Sequence, residues 1–419
     1  MSELNRDVLY LIFEQLQDNK KILYSCLLVS KTWCETIIPI LWKNPWECLN
    51  KKKLSFNYIS YCRHLNLDEI LRIINENINE ESIILNVQNE ILTLFINENT
   101  KFTHLYICKI LEHQIHLFHG VERCFSEIVF LSCSTGINNN TLTKLIETCK
   151  SIKELKLFFE LKNNNCRIVK LIEAQRKLSN IVLTHNTNDD EPFIKIVEDS
   201  LIKHASTIQY CKISRWLTTN LLSSFVNLKE LELDRPGVQI EIIASLIKNT
   251  SGNLIEIKVD YVSNDEIDNK KLIQAIYDKC PNIKYLKILV RNRNIPELEK
   301  LLTNCPHLNR LYLFIVDNQE HTFDWDKLFE ILIRSSSTSL FKFAFNILNV
   351  NYLLKLETFK LFFDNWKGRH PMFLQITAVD EKMDFTLIER YKSEGIIKKF
   401  DYRFQYNINE DFEWIDDNI

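Results

Sequence analysis

The spacing apolar-x-x-apolar-x-apolar recurs through most of this 419-residue chain. It is clear at Phe102-Leu105-Ile107, Ile152-Leu155-Leu157, Leu178-Ile181-Leu183, Leu228-Leu231-Leu233, Leu254-Ile257-Val259, Ile283-Leu286-Ile288, Leu308-Leu311-Leu313 and Leu340-Phe343-Phe345. Weaker copies begin at Phe125, Ile208, Pro371 and Ile397, and all these first anchors lie about 27 residues apart on average, a period of ~20–50 residues being the mark of repeat architectures. One unit of this length cannot bury its apolar side alone and must stack on its neighbours. Between the anchors a second regularity appears, apolar at i, i+3, i+4 and i+7, as in Leu142-Leu145-Ile146-Cys149, Ile240-Ile243-Ala244-Ile247 and Phe359-Phe362-Phe363-Trp366. Each such stripe is one face of a helix. Strand and helix in alternation demand parallel strands on one side and helices on the other.

In three repeats a cysteine stands three residues before the first anchor, at Cys149, Cys280 and Cys305. This pattern resembles the cysteine-containing leucine-rich repeats. The expected fold class is therefore α/β, with 102–419 a leucine-rich-repeat solenoid that has parallel strands on its concave face, helices on its convex face and a C-terminal cap. The cysteines read as small apolar packing residues. Residues 47–101 are poorly patterned and are expected to be an irregular linker or a first atypical repeat, with Cys62-Leu65-Leu67 as its core and Lys51-Lys52-Lys53 marking the boundary before it.

The first 46 residues differ. Apolar side chains at Leu4, Val8, Leu9, Ile12, Phe13 and Leu16 line one helical face, with Asn5 as cap and Asp7 in the first turn. Asp18 and Asn19 start a second helix bearing Leu23 and Leu27, and Ser30 caps a third carrying Trp33, Ile37 and Ile38 until Pro39 stops it. Leu4-Asn5-Arg6-Asp7-Val8-Leu9, then Cys26-Leu27-Leu28-Val29-Ser30-Lys31-Thr32-Trp33, then Ile40-Leu41-Trp42, resembles an F-box, with Asn5 where that family usually has proline. The resemblance implies a three-helix F-box over 1–46 that binds the Skp adaptor, and through it a cullin scaffold. It implies contacts from Leu4, Val8, Leu9, Ile12, Leu27 and Val29, some of which must instead form the module's own core. A chain of this kind is a substrate-recognition subunit of a ubiquitin ligase. The alternative is a non-catalytic scaffold that binds the adaptor or other proteins without cullin-dependent ubiquitination.

Composition narrows the rest. A net charge of −3, from 52 Lys and Arg against 55 Asp and Glu, offers no basic block for a phosphate backbone, so nucleic acid is not an expected partner. The polar start Met-Ser-Glu-Leu-Asn-Arg-Asp and the lack of a long charge-free apolar run predict no membrane partner and a cytoplasmic or nuclear location. Six glycines form no phosphate loop or nucleophile turn, so neither an enzyme nor a cofactor is expected.

His113, His116 and His119, with His104 and Cys108 nearby, form the one cluster of metal-ligand type. In a helix His113 and His119 would point about 120° apart, so the expectation is a polar helix face and no metal. Asp189-Asp190 and Glu410-Asp411 lie in polar stretches, and the tail from Glu410 to Asp417 reads as a capping or binding segment. Period-2 alternation sends the residues just before the second and third anchors to the concave face. Tyr285 and Lys287 then adjoin Arg310 and Tyr312, an aromatic and cationic quartet expected to bind a protein substrate through an acidic or phosphorylated segment.

Overall fold

Polar side chains that cap helix starts organise the N-terminal module. The structure, a computed structural model, describes residues 5–17, 19–27, 29–41, 43, 59–78, 80–107, 115–160, 164–185, 191–214, 219–234, 240–250, 252–260, 266–316, 323–347, 359–378 and 385–404. Helix α1 (Arg6–Gln15) starts where Asn5 accepts the Asp7 amide, and α2 (Lys20–Cys26) where Asn19 accepts that of Ile22. Helix α3 (Lys31–Leu41) starts where Ser30 Oγ accepts the Trp33 amide at 3.2 Å. Each cap contributes about 1 kcal/mol. Leu9, Phe13, Leu23, Ile37 and Leu41 fill a small core, and Trp33 meets Phe13 edge-on at 5.1 Å. Pro39 does not stop α3, which runs on to Leu41. Its missing amide removes one hydrogen bond from the last turn of the helix.

Two compact units follow from the contacts, Met1–Leu201 and Ile202–Ile419. In the first, β1 (His64–Asn66), β2 (His104–Ile107), β3 (Phe130–Ser134), β4 (Glu154–Phe159) and β5 (Asn180–His185) lie side by side in chain order, all parallel. In the second, the same holds for β6 (Tyr210–Ser214), β7 (Glu230–Asp234), β8 (Glu256–Asp260), β9 (Tyr285–Val290), β10 (Arg310–Ile315), β11 (Lys342–Ile347), β12 (Met372–Ala378) and β13 (Ile397–Phe404). Helices lie between successive strands and bury apolar stripes, as Ile240–Asn249 does with Ile240, Ile243, Ala244, Leu246 and Ile247. Each unit is a repeat array of parallel strands in chain order with helices between them.

The copy read from Phe125 is displaced by three residues. Ile128, Leu131 and Cys133 are the buried anchors of β3, while Phe125 ends the helix Val121–Phe125. Cysteine serves here as a small apolar anchor. Phe130 is thereby turned away from the helices, against His104 and Tyr106.

One hydrogen-bond device joins successive repeats. The carbonyl of the residue entering a strand accepts two amides from the next repeat: Arg63 from Thr103 and His104, Thr103 from Val129 and Phe130, Val129 from Lys153 and Glu154. In the second unit Gln209, Lys229, Ile255 and Lys284 do the same. The first step comes from the three-helix module itself, where the Lys43 carbonyl accepts the amides of Arg63 at 3.0 Å and His64 at 3.2 Å.

The recurrent cysteines add a second link. Cys149 Sγ donates to the Phe125 carbonyl at 3.4 Å and Cys305 Sγ to the Cys280 carbonyl at 3.5 Å. Burial pushes the Cys149 thiol up to about 11 and those of Cys280 and Cys305 up to about 12. Such thiols are inert in the folded chain. Iodoacetamide at pH 8 should alkylate exposed Cys166 at least about 100-fold faster than Cys149, Cys280 or Cys305, as read by site-resolved mass spectrometry, and the difference should vanish in denaturant.

Candidate functional site

Helix α1 carries apolar side chains on two sides. Leu9 and Phe13, one turn apart, enter the module's core, whereas Val8, Leu11 and Ile12 stand 42, 60 and 43% exposed. Ile22 and Tyr24 of α2 and Val29 beyond it are also exposed. A helix apolar on all sides is stable in water only where a second surface covers it. Of the six contacts implied by the F-box resemblance, Val8, Ile12 and Val29 are exposed. Leu9 is a core residue, Leu27 packs partly against that core, and Leu4 lies outside the described residues, as does Trp42. Leu11 and Ile22 were not expected; Leu11 stands one helical turn from Val8, and that spacing is the signal for it.

The second surface is the helix-free face of the second unit. Alternation places Tyr210, Glu230, Glu256, Tyr285, Arg310, Lys342 and Phe373 in one row across β6–β12, and Lys212, Glu232, Lys258, Lys287, Tyr312, Ala344 and Gln375 in the next. The quartet Tyr285, Lys287, Arg310 and Tyr312 is brought together as its spacing predicts, but its cations are engaged. Arg310 lies over the Tyr285 ring at 4.9 Å and reaches past it to Glu256, with Nη2 to Oε1 at 2.9 Å. Lys287 Nζ binds Asp260 Oδ1 at 2.8 Å while lying 4.9 Å from the centre of the Tyr312 ring. Both tyrosines and Lys287 are at most 5% exposed, so Arg310 is the one half-exposed member.

The charges continue along the face. Glu232 is paired with Lys212 and Lys258 and accepts the Tyr210 hydroxyl at 3.3 Å. Burial, followed by the charge of Glu256, raises the Glu230 carboxyl above its usual range. A third row was not expected: Leu289 and Phe314 join Tyr285, Tyr312, Ala344 and Phe373 in one buried cluster. Unbroken apolar runs, Ile288-Leu289-Val290 and Leu313-Phe314-Ile315, are the sequence sign of strands covered on both faces.

No family model matches the chain, and no curated protein matches it. Several solved structures are similar, among them the leucine-rich repeat-containing protein LegL7 from Legionella pneumophila, 15% identical, with 72% of this chain and 90% of that one covered at a TM-score of 0.38.

The histidine cluster is dispersed. His116 sits in the 3-10 turn Ile115–Leu117, exposed His119 pairs with Glu98 at 3.0 Å, and His113 and Cys108 lie outside the described residues. Among the described residues no group of three or more His, Cys, Asp or Glu could hold a metal, and no helix is long and apolar enough to cross a membrane. Asp189-Asp190 and the tail acids also lie outside the described residues. His104 instead stacks face to face on His64 at 3.8 Å, where β1 meets β2.

Two tests follow from these contacts. Asp260→Ala leaves Lys287 without this carboxylate and should cost about 1–3 kcal/mol in urea unfolding, whereas Asp260→Ala with Lys287→Met, which leaves neither charge unpaired, should cost less. Burial, with the charges of His104 and Lys43, holds His64 at about 3, below its ordinary 6.5, and His104 is lowered by burial and by Lys43. Both rings are therefore neutral in the folded chain, which holds its full stability above pH 6.5 and loses it as pH falls below 6.5 toward 3. Thermal unfolding should show a lower midpoint at pH 5.5 than at pH 7.5, with a smaller difference in His64→Gln.

Proposed function

We propose that this chain is the substrate-recognition subunit of a Skp–cullin–F-box ubiquitin ligase, its three-helix module binding the Skp adaptor and its repeats binding a protein substrate. The observation that carries the reading is α1, whose Leu9 and Phe13 face the module's core while Val8, Leu11 and Ile12 remain exposed. A module this small has no second core to receive them, so an apolar partner surface is their natural cover. The order of the F-box anchors agrees with this, since Ser30 caps α3 and Trp33 packs on Phe13. Such a subunit acts by position: it supplies no catalytic group and raises the local concentration of a substrate lysine near a conjugating enzyme on the same scaffold.

The surface can be tested without disturbing the core. Val8→Asp with Ile12→Asp should weaken binding to the Skp adaptor by at least about 100-fold, given hot-spot losses of ~2 kcal/mol or more each. The unfolding midpoint should stay within about 3 °C of the parent. Leu9→Asp, by contrast, should unfold the module. Adaptor binding unchanged in the double variant would end the F-box reading; binding to the adaptor with no cullin in the purified complex would replace the ligase by a scaffold.

A further inference from the structure

On the helix-free face of the second unit every cation near β7 has an acid, but not every acid has a cation. In β6, β7 and β8 buried residues alternate with half-exposed ones, so every second side chain reaches the surface. Lys212 and Lys258 hold Glu232, Lys287 holds Asp260, and Arg310 holds Glu256. Glu230 is left over. Among the described residues it takes part in no ion pair and no hydrogen bond, although it stands half-exposed within the row.

Its neighbours in that row set what can reach it. Strand pairing places Tyr210 on one side of Glu230 and Glu256, then Tyr285, on the other. Toward β9 the row is closed, because Arg310 lies over Tyr285 and its guanidinium is given to Glu256. Toward β6 it offers the half-buried Tyr210, whose hydroxyl is directed to Glu232 and not to Glu230. Burial raises the cost of charging Glu230, and the charge of Glu256 on the next strand adds to it. A cation seated on Glu230 offsets both costs and displaces none of the pairs the face already has.

We infer that the β6–β8 part of this face docks a protein segment through a lysine or arginine whose head group pairs with Glu230 and whose stem lies along the Tyr210 ring. The inference rests on the reading of the repeats as the partner-binding part of the chain, and not on the adaptor. It reverses the charge expected of that partner. Lys287 and Arg310 are already held by Asp260 and Glu256, so the quartet has little charge left for an acidic or phosphorylated segment, whereas β7 has a carboxylate to give to a basic one. A pair formed here is covered by the docked segment and so counts for more than an ion pair on open surface.

The full chain tests this with peptides as probes. Random dodecapeptides selected on the immobilised chain should be enriched in sequences that carry lysine or arginine. Resynthesised with lysine at that place, they should be joined by carbodiimide to Glu230 or Glu256, as read by mass spectrometry. Glu230→Gln should weaken these peptides at least about tenfold. Asp199→Asn, the same change of net charge at an exposed position on the helix Glu191–Ile202, should leave them unchanged. Enriched peptides that are acidic, cross-links confined to other carboxylates, or equal binding by Glu230→Gln would overturn the inference while leaving the repeats a receptor of other specificity. A library that enriches nothing overturns it together with the receptor reading. If Glu230→Gln does not fold, as judged by circular dichroism, the cross-link position in the parent decides. None of these readouts involves the adaptor, so a failure of the F-box reading shows separately, in the binding of the Val8 and Ile12 variant.

Discussion

A peptide carbonyl at strand entry that accepts two amides from the next repeat, as at Arg63, Thr103, Val129, Lys153, Gln209, Lys229, Ile255 and Lys284, is the contact on which the arrays rest. It is local to each pair of neighbours, yet it sets the register of those strands against the next. With register set, the second and third anchors of each repeat fall on the helix side together, and the intervening residues fall on the other. A slip of one residue would turn Leu231 and Leu233 outward and bring Glu230 and Glu232 into the apolar layer, at a cost no ion pair recovers. The cysteine thiols that donate to a carbonyl of the preceding repeat reinforce the same junctions from the helix side.

This dependence on neighbours explains what could be read from the chain. The repeat period, the anchors and the helix stripes are local patterns, and Asn5, Asn19 and Ser30 cap the helices their positions predict. The β3 register departs from the spacing that starts at Phe125 because Cys133 serves as an apolar anchor and Phe125 belongs to the preceding helix. Pro39 is carried inside α3, which continues two residues beyond it. The histidines could not be judged from spacing, since a short 3-10 turn replaces the expected helix.

The candidate sites were readable in position more than in availability. Alternation places Tyr285, Lys287, Arg310 and Tyr312 side by side, but whether their charges are spare depends on residues far along the chain. Arg310 reaches Glu256 across an intervening strand, a partner 54 residues away in sequence. On β6–β8 the row Lys212-Glu232-Lys258 alternates in charge, and Lys287 and Arg310 reach back to Asp260 and Glu256, whereas the face of β9–β12 is held by apolar packing. On α1 the same limit applies: the apolar positions are plain, but their division between inward Leu9 and outward Val8 follows from how α2 and α3 pack.

The Lys43 carbonyl bonded to Arg63 and His64 makes the three-helix module the first step of the ladder rather than a tethered ornament. Nearest-neighbour coupling in such arrays means that fraying of β1 removes two bonds from the module as well. By linkage, any ligand that binds α1–α3 only when folded also lowers the population in which the β1 strand is open, by an amount set by its concentration relative to its dissociation constant. Occupancy at one end of the chain is thereby written into the local opening rate of the repeat beside it, and amide exchange in His64–Asn66 becomes a reporter of what the helices hold.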